Sequence, residues 1–302
     1  MPQIIPLAFC PSAKDVKPKP LGKIGVVILA GGQGSRLGHI GPKGTFSIGG
    51  KSLFQWLVEK VFPSTPIAVM TSPLNHEETV SFFQKNHFFS RRVVFFEQNV
   101  EALLDETRKP LNVFIPDGNG SFFSSFERSG FLHQFEEEGV DLVSIIPVEN
   151  VLADPEDPFF ITYGREANAE VAVKCIERRP TDPPMGALVE KEGRIEILEY
   201  TEQPPFFSFR YAYVGMMAFQ LSFMKQMAKI DLPLHWVWKK VEKQFGWKGE
   251  RFIFDALSFS KKTVALCCPK EENYAALKTI ENVDSILNNK KFSLMTKTNE
   301  VI

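Results

Sequence analysis

The chain has 302 residues, enough for one large α/β domain or for two modest ones. Hydrophobic residues make up 44% and charged residues 24%, which excludes a disordered chain and predicts a packed globule. A formal net charge of -1 excludes the basic excess that a nucleic-acid backbone demands, so any phosphate recognition must come from a few placed cations and backbone N–H groups.

Residues 1–23 carry prolines at 2, 6, 11, 18 and 20 and read as an extended arm. Its apolar start has no basic n-region and no 18-residue apolar span, so neither a signal peptide nor a membrane partner is expected. Ile24–Ala30 (IGVVILA) is a continuous apolar run between glycines and predicts a central parallel strand buried on both faces. A glycine-rich loop follows, and Ser52 opens a capping-box pattern whose Leu53, Phe54, Leu57, Val58 and Val61 form a helical apolar face. The rhythm continues with strands predicted over 66–72, 92–98 and 142–149 and helices over 76–89 and 121–138. Alternation at these lengths predicts an α/β fold, a Rossmann-like, doubly wound, mostly parallel sheet.

Beyond residue 150 the pattern changes. VAVKCIERR, GALVEKEG and RIEILEYTE read as short strands, with Glu192-Gly193 as a hairpin turn, and predict an antiparallel subdomain packed over the sheet. A strand TVALCCP and an amphipathic helix over 273–288 are expected to follow. The 28 phenylalanines against 5 tyrosines predict a Phe-rich core. Cys10, Cys175, Cys267 and Cys268 form neither a CxxC pair nor a zinc spacing, and read as reduced, mostly buried thiols of a cytoplasmic protein.

The loop LAGGQGSRLGHIGPKG, 29–44, fails two familiar phosphate-binding patterns. G-x-G-x-x-G needs glycine where Leu37 stands, and the P-loop ending in Gly50-Lys51-Ser52 needs glycine where Thr45 stands. What remains is a strand followed by Gly-Gly-x-Gly-Ser-Arg-Leu-Gly and then Pro-Lys-Gly. Its glycines let backbone N–H groups approach phosphate oxygens, and Arg36 and Lys43 add two cations. The bland alternative, a plain Gly-rich β–α turn, needs neither the arginine nor Pro-Lys-Gly.

With LAGGQGSRLG…PKG, the motifs MTS…TVSFF, VVFFEQ, PDGNG, VEN, ADP, LEYTE, HWVWKKV, KGERFIFD and AALK follow in order over roughly residues 24–282. The chain so resembles the UDP-sugar pyrophosphorylase family. That resemblance implies a UTP-dependent sugar-1-phosphate uridylyltransferase with Mg²⁺ as cofactor, acting on UTP and a glucose or N-acetylglucosamine 1-phosphate. It also implies a nucleotide-binding half over 24–150, a sugar-binding half over 151–290 and a tail over 291–302. No nucleic-acid partner is expected, and the chain is expected to be a monomer or a weak homo-oligomer. A nucleotide-sugar-binding or regulatory protein with weak or lost catalysis is the alternative.

The resemblance also implies roles for single residues. Arg36, Lys43 and Lys278 are candidates for stabilising charge during transfer. Leu29, Ala30, Gly31, Gly32, Gln98, Pro116, Gly118 and Lys248 are candidates for the nucleotide, with Gln98 reading the uracil edge from the end of a strand. Asn119, Gly186, Glu199, Tyr200 and Tyr213 are candidates for the sugar. Glu149 stands where the family usually has aspartate as a metal ligand; it keeps the hard oxygen donor on a longer arm. Asp255 is a possible second carboxylate. Tyr213-Val214-Gly215-Met216 replaces the Asn-Ala-Gly-Asn of the N-acetylglucosamine enzymes, so Tyr213 and Met216 are expected to face the sugar and to favour glucose 1-phosphate at least equally. Family members usually continue further beyond the last matched lysine.

Overall fold

The computed structural model describes residues 4–205, 207–241 and 244–299. Residues 1–3 of the expected arm and 300–302 of the expected tail lie outside the described residues. Strand Ile24–Leu29 is apolar throughout because both its edges and both its faces are covered. It pairs in parallel with Leu142–Pro147 on one side and Ile67–Thr71 on the other, and Val93–Glu97 extends the set. Val27 packs into a phenylalanine-rich cluster, whereas Val26 and Ile28 pack on the opposite face against helix Leu53–Val58. Ser52 caps that helix, accepting a hydrogen bond from the Gln55 N–H.

The second half departs from expectation in one respect. Its strands extend the same sheet rather than packing over it. The long strand Tyr211–Gln220 pairs antiparallel with Leu142–Pro147 through its C-terminal half and with Val171–Glu177, and it touches Ala187–Lys191 at Ala212. Thr263–Cys267 runs parallel to Val171–Glu177, and Arg194–Leu198 pairs with Ala187–Lys191. The turn between the latter two has Glu192 at φ 51° and Gly193 at φ 75°, both left-handed, as a type I′ hairpin requires. Ile4–Pro6 of the extended N-terminal segment adds an antiparallel edge strand to Ala187–Lys191, and Leu7 and Cys10 are buried beneath it.

A second sheet of four antiparallel strands, Val100–Leu104, Pro110–Pro116, His235–Val241 and Gln244–Glu250, had no counterpart among the predicted elements. Three helical expectations change as well. The stretch 121–138 is two helices, Phe122–Arg128 and Phe131–Glu137, broken where Gly130 takes φ 81°. The stretch 76–89 is helical over His76–Lys85 and then turns through left-handed φ at His87–Ser90. The predicted helix 273–288 exists only as Lys270–Asn273 and Asn282–Leu287, and residues 274–278 between them run extended. Helix Lys290–Asn299 is docked rather than trailing, with Phe292 buried against Trp56 at a ring separation of 5.1 Å.

The phenylalanines do form a core. Phe126 is wholly buried, and its ring lies 5.2–6.2 Å from those of Phe96, Phe122, Phe131 and Phe135. Such a site collapses poorly on truncation. Phe126→Ala is expected to lower the unfolding free energy by about 3–5 kcal/mol, read from urea unfolding; a loss under about 1 kcal/mol would mean the cluster is loosely packed.

Candidate active site

The carboxyl ends of the four parallel strands converge on one cleft. Leu29, Met70, Gln98 and Pro147 line it, and Leu29 and Pro147 are paired neighbours where the sheet order reverses. Ligands bind at such a switch point in open α/β sheets. The cleft encloses about 600 Å³.

Its floor is the glycine loop. Lys43 N–H donates to Gly32 O at 3.1 Å and Gly34 N–H to Gly41 O at 2.9 Å, so the loop folds back and returns Lys43 beside its start. Two residues overlooked in the sequence hold its carbonyls. Asn75, buried, donates from Nδ2 to Ala30 O and Gly32 O at 2.9 and 3.1 Å, and Ser72 Oγ donates to Gly31 O at 2.8 Å. The Ala30 and Gly34 N–H groups are spent on Met70 O and Gly41 O, which leaves the N–H groups of Gly31 and Gly32 as the loop's candidates to meet a ligand. A Cβ on Gly31 would lie 2.8 Å from Gln98 Oε1, so glycine is what lets the Gln98 amide close over the loop.

Gly118 has φ 93°, and a Cβ there would meet the Arg251 carbonyl oxygen at 2.4 Å. This turn is held from an unexpected direction. Arg251 Nη1 donates to buried Asp117 Oδ2 at 2.9 Å, its N–H donates to Asp117 O, and Gly120 N–H donates to Arg251 O. Ile253 N–H donates to Asn119 Oδ1 at 3.0 Å, leaving only the Asn119 amide NH₂ to meet a ligand.

The opposite wall holds Gly186, Glu199, Tyr200 and Tyr213, with Lys248, Glu250, Phe252 and Phe254. Tyr213 N–H donates to Gly186 O at 2.9 Å, and its ring meets Phe254 edge-on at 6.3 Å. The register slips here, so that Lys174 faces Val214–Met216 as a bulge with Gly215 at φ 83° against Pro147. Met216 shares the strand face of Ala212 and Val214, opposite Tyr213, and is fully buried in the core, which corrects the expectation that it faces a sugar. Burial raises the Glu199 carboxyl above its usual range. Lys248 is ion-paired with Glu250.

Residues 274–278 close the cleft. Ala276 bridges Asn150, and Leu277 N–H donates to Glu149 O at 2.8 Å. Strand periodicity then sends Tyr274, Ala276 and Lys278 to the cleft and Leu277 to the core. Tyr274 and Ala276 were missed because the same five residues also fit a helical pattern.

Glu149 lines the cleft with Lys43 Nζ 3.9 Å away. A single hard carboxylate oxygen beside open space fits a divalent cation that keeps waters and takes its remaining ligands from phosphates. Among the described residues there is no group of three or more His, Cys, Asp or Glu suited to a metal. Besides Met216, four named candidates are not among the wall residues, and of these Lys43 alone borders the cleft, through Glu149. Ala30 is buried beneath the loop, its N–H bonded to Met70 O. Arg36 is exposed because the turn Ser35–Leu37 sends Leu37 into the core and its neighbour outward. Asp255 is bonded to His235 Nε2 at 2.9 Å rather than facing Glu149, since its neighbour Phe254 takes the cleft position. No helix among the described residues is long and apolar enough to cross a membrane.

His235 bridges Glu202 and Asp255 at 3.1 and 2.9 Å and anchors the hairpin carrying Lys248. Burial opposes its protonation, but hydrogen bonding and charge from Asp255 and Glu202 outweigh it and raise its pKa above 6.5. Burial pushes the Asp255 carboxyl up despite the imidazolium, so the pair as a whole holds its proton more tightly. Protonated His235 thus contributes stability that is full below its unfolded pKa and fades as pH rises through the higher folded value. The Tm gap between wild type and His235→Gln is expected to be larger at about pH 5.5 than at about pH 9; an equal or larger gap at the alkaline end would contradict this.

The family model described as UTP–glucose-1-phosphate uridylyltransferase matches residues 4–207. A Dictyostelium discoideum protein and an Encephalitozoon cuniculi protein, both named "Probable UDP-N-acetylglucosamine pyrophosphorylase", are 30% and 31% identical to the chain, covering 85% and 88% of it. The chain spans 65% of the Dictyostelium protein's length, a little under two thirds, and 83% of the Encephalitozoon protein's. The solved structure of the uridine diphosphate N-acetylglucosamine pyrophosphorylase from Trypanosoma brucei, in complex with inhibitor, superposes with a TM-score of 0.81 at 26% identity, over 93% of this chain and 68% of that one. Motif order, strand-end cleft and relatives agree: the chain belongs to the UTP–glucose-1-phosphate uridylyltransferase family.

Proposed function

We propose that the chain transfers a uridylyl group from UTP to a hexose 1-phosphate, giving a UDP-sugar and pyrophosphate. One observation carries the reading: a glycine loop with bound carbonyls, the Gln98 amide, Lys248 and Lys278 meet at one cleft at the strand ends, with Lys43 beside its Glu149. The relatives' names supply the substrate class.

In this reading the nucleotide lies along Leu29–Gly32, Gln98, Pro116 and Gly118. The Gln98 amide faces the N3–H and O4 edge of uracil, and the loop fixes which way the amide points. The sugar lies against Gly186, Glu199, Tyr200 and Tyr213, with the Asn119 NH₂ as donor. An oxygen of the sugar phosphate attacks the α-phosphorus of UTP, the α–β bridging bond breaks, and its electron pair leaves on pyrophosphate. The attacking group is already an anion, so no side-chain nucleophile or base is needed; positioning and charge supply the acceleration. Lys43 and Lys278 face charge that builds on the phosphates, and Lys248 holds the nucleotide end.

The charge count of the cleft bears on the cofactor. Lys248 and Lys278 line the cleft against Glu149, Glu199 and Glu250, and Lys43 borders it beside Glu149, so the cations do not outnumber the carboxylates. A triphosphate entering beside a phosphate monoester therefore needs further positive charge. Glu149 is the residue that would hold it, as Mg²⁺, which when bound neutralises phosphate oxygens.

Steady-state pyrophosphate release with a panel of sugar 1-phosphates tests the reading. Wild type is expected to use UTP and to reject CTP; release with no member of the panel, or equal use of both nucleotides, would sink it. Lys43→Ala is expected to lower kcat by about 10²–10³-fold while binding of UDP-sugar changes little, and a loss under about threefold would make Lys43 structural. Tyr213 occupies space that an acetamido group would need, and Met216 no longer bears on the choice. Tyr213→Asn is expected to raise kcat/KM for N-acetylglucosamine 1-phosphate relative to glucose 1-phosphate by about tenfold; an unchanged ratio would remove Tyr213 from specificity.

A further inference from the structure

Lys174 lies in the middle of strand Val171–Glu177, wholly buried, and does not line the cleft. Its ammonium reaches Asp157 Oδ2 at 2.5 Å and Asn273 Oδ1 at 3.2 Å, with the Phe160 ring 5.4 Å away. A buried ion pair is a poor source of stability, because desolvation of both charges offsets most of their attraction. What the pair joins is more informative than its strength.

Asp157 turns its second oxygen to the N–H groups of Phe159 and Phe160 and so caps helix Pro158–Glu166. Asn273 carries the link the other way. Its Nδ2 donates to Pro269 O, and its backbone carbonyl accepts from Asn150 Nδ2 at 2.9 Å. Asn150, also wholly buried, accepts from Ala275 N–H at 2.9 Å through Oδ1. Two residues further on, Leu277 N–H is bonded to Glu149 O. An unbroken chain of hydrogen bonds thus runs from the Lys174 ammonium to the extended segment that sends Tyr274 and Lys278 into the cleft. That segment lies in no regular helix or sheet; these bonds set its course together with those of Tyr274 N–H to Lys270 O, Val151 N–H to Ala275 O and Lys278 N–H to Asn282 Oδ1.

We propose that Lys174 is a positioning residue for the transfer: through Asn273 and Asn150 it fixes residues 274–278 and thereby the place of Lys278. The kinetic part rests on the reading of the cleft as a uridylyl-transfer site; the structural part does not. Lys174 touches no substrate. A displacement of the order of 1 Å in a charge-stabilising group costs about 10²-fold in rate, which is the scale of effect a lost anchor produces.

Two variants and two readouts test this. Lys174→Met removes the ammonium, and Asn273→Ala cuts the link while keeping the Lys174–Asp157 pair, so one of them is expected to fold even if the other does not. Hydrogen exchange at the Ala275 and Leu277 amides needs no activity. It is expected to quicken by about tenfold or more in either folded variant, and unchanged exchange overturns the proposal. In the transfer assay kcat is expected to fall by about tenfold or more with the KM for UTP little changed. On a Lys278→Ala background the same substitutions are expected to cost less than about twofold, because the lysine they position is gone. Losses that add in full to that of Lys278→Ala overturn the positioning role. A wild type that releases no pyrophosphate refutes the proposed function instead, and the exchange result still decides the anchor.

Discussion

The two walls of the cleft are joined by the contact of half-buried Arg251 with the Asp117–Gly120 turn. Asp117 follows a strand of the four-stranded sheet and Arg251 follows another, 134 positions later in the chain. The guanidinium donates to the Asp117 carboxylate, to Glu101 at 3.2 Å and to Leu232 O at 3.1 Å, while backbone bonds between the two segments run in both directions. Gly118 follows from this, since any Cβ would strike the Arg251 backbone. So does the spacing across the cleft, because Gln98 and Gly118 belong to one wall and Lys248, Phe252 and Phe254 to the other. A planar, always charged arginine is suited to such a joint, because its fixed fork of donors spans partners set apart in one plane, where the compact ammonium of lysine would not reach them all.

A second constraint is electrostatic. The lysines at the cleft are not bare cations: Lys43 stands near Glu149, Lys248 is paired with Glu250, and Lys278 lies close enough to Glu199 to favour its ionised form against the cost of burial. Paired in this way, they hold their geometry before any phosphate arrives, and preorganised charge is what transition-state stabilisation requires. The sheet itself supplies the rest of the arrangement, since parallel strands buried on both faces leave only their carboxyl ends free to carry polar groups.

Much of this was legible in the chain. The apolar run Ile24–Leu29 and the glycine loop after it named the central strand and its ligand end, because burial and backbone approach leave strong local marks. Glu192-Gly193 named its hairpin through the demand for two left-handed residues. Other features left no local mark. The four-stranded sheet pairs segments more than a hundred residues apart, and Trp247 opposite Leu104 is nowhere signalled by either neighbourhood. Tyr213 and Met216 stand three residues apart on one strand, so alternation puts them on opposite faces, Tyr213 at the cleft and Met216 in the core, and reading both as facing one ligand overlooked that period of two. Residues 274–278 fit two periods equally well, and the buried amide of Asn150, far away in sequence, decides between them.

The central claim is that this cleft performs uridylyl transfer rather than nucleotide binding alone. Phosphorus NMR of the wild-type protein with UTP, Mg²⁺ and a mixture of glucose 1-phosphate and N-acetylglucosamine 1-phosphate follows every phosphorus atom at once. The account predicts that UTP and one sugar phosphate disappear together while a UDP-sugar and pyrophosphate appear in equal amounts, with no orthophosphate. Unchanged spectra, or UTP loss that yields orthophosphate and UDP without a sugar diphosphate, would contradict it.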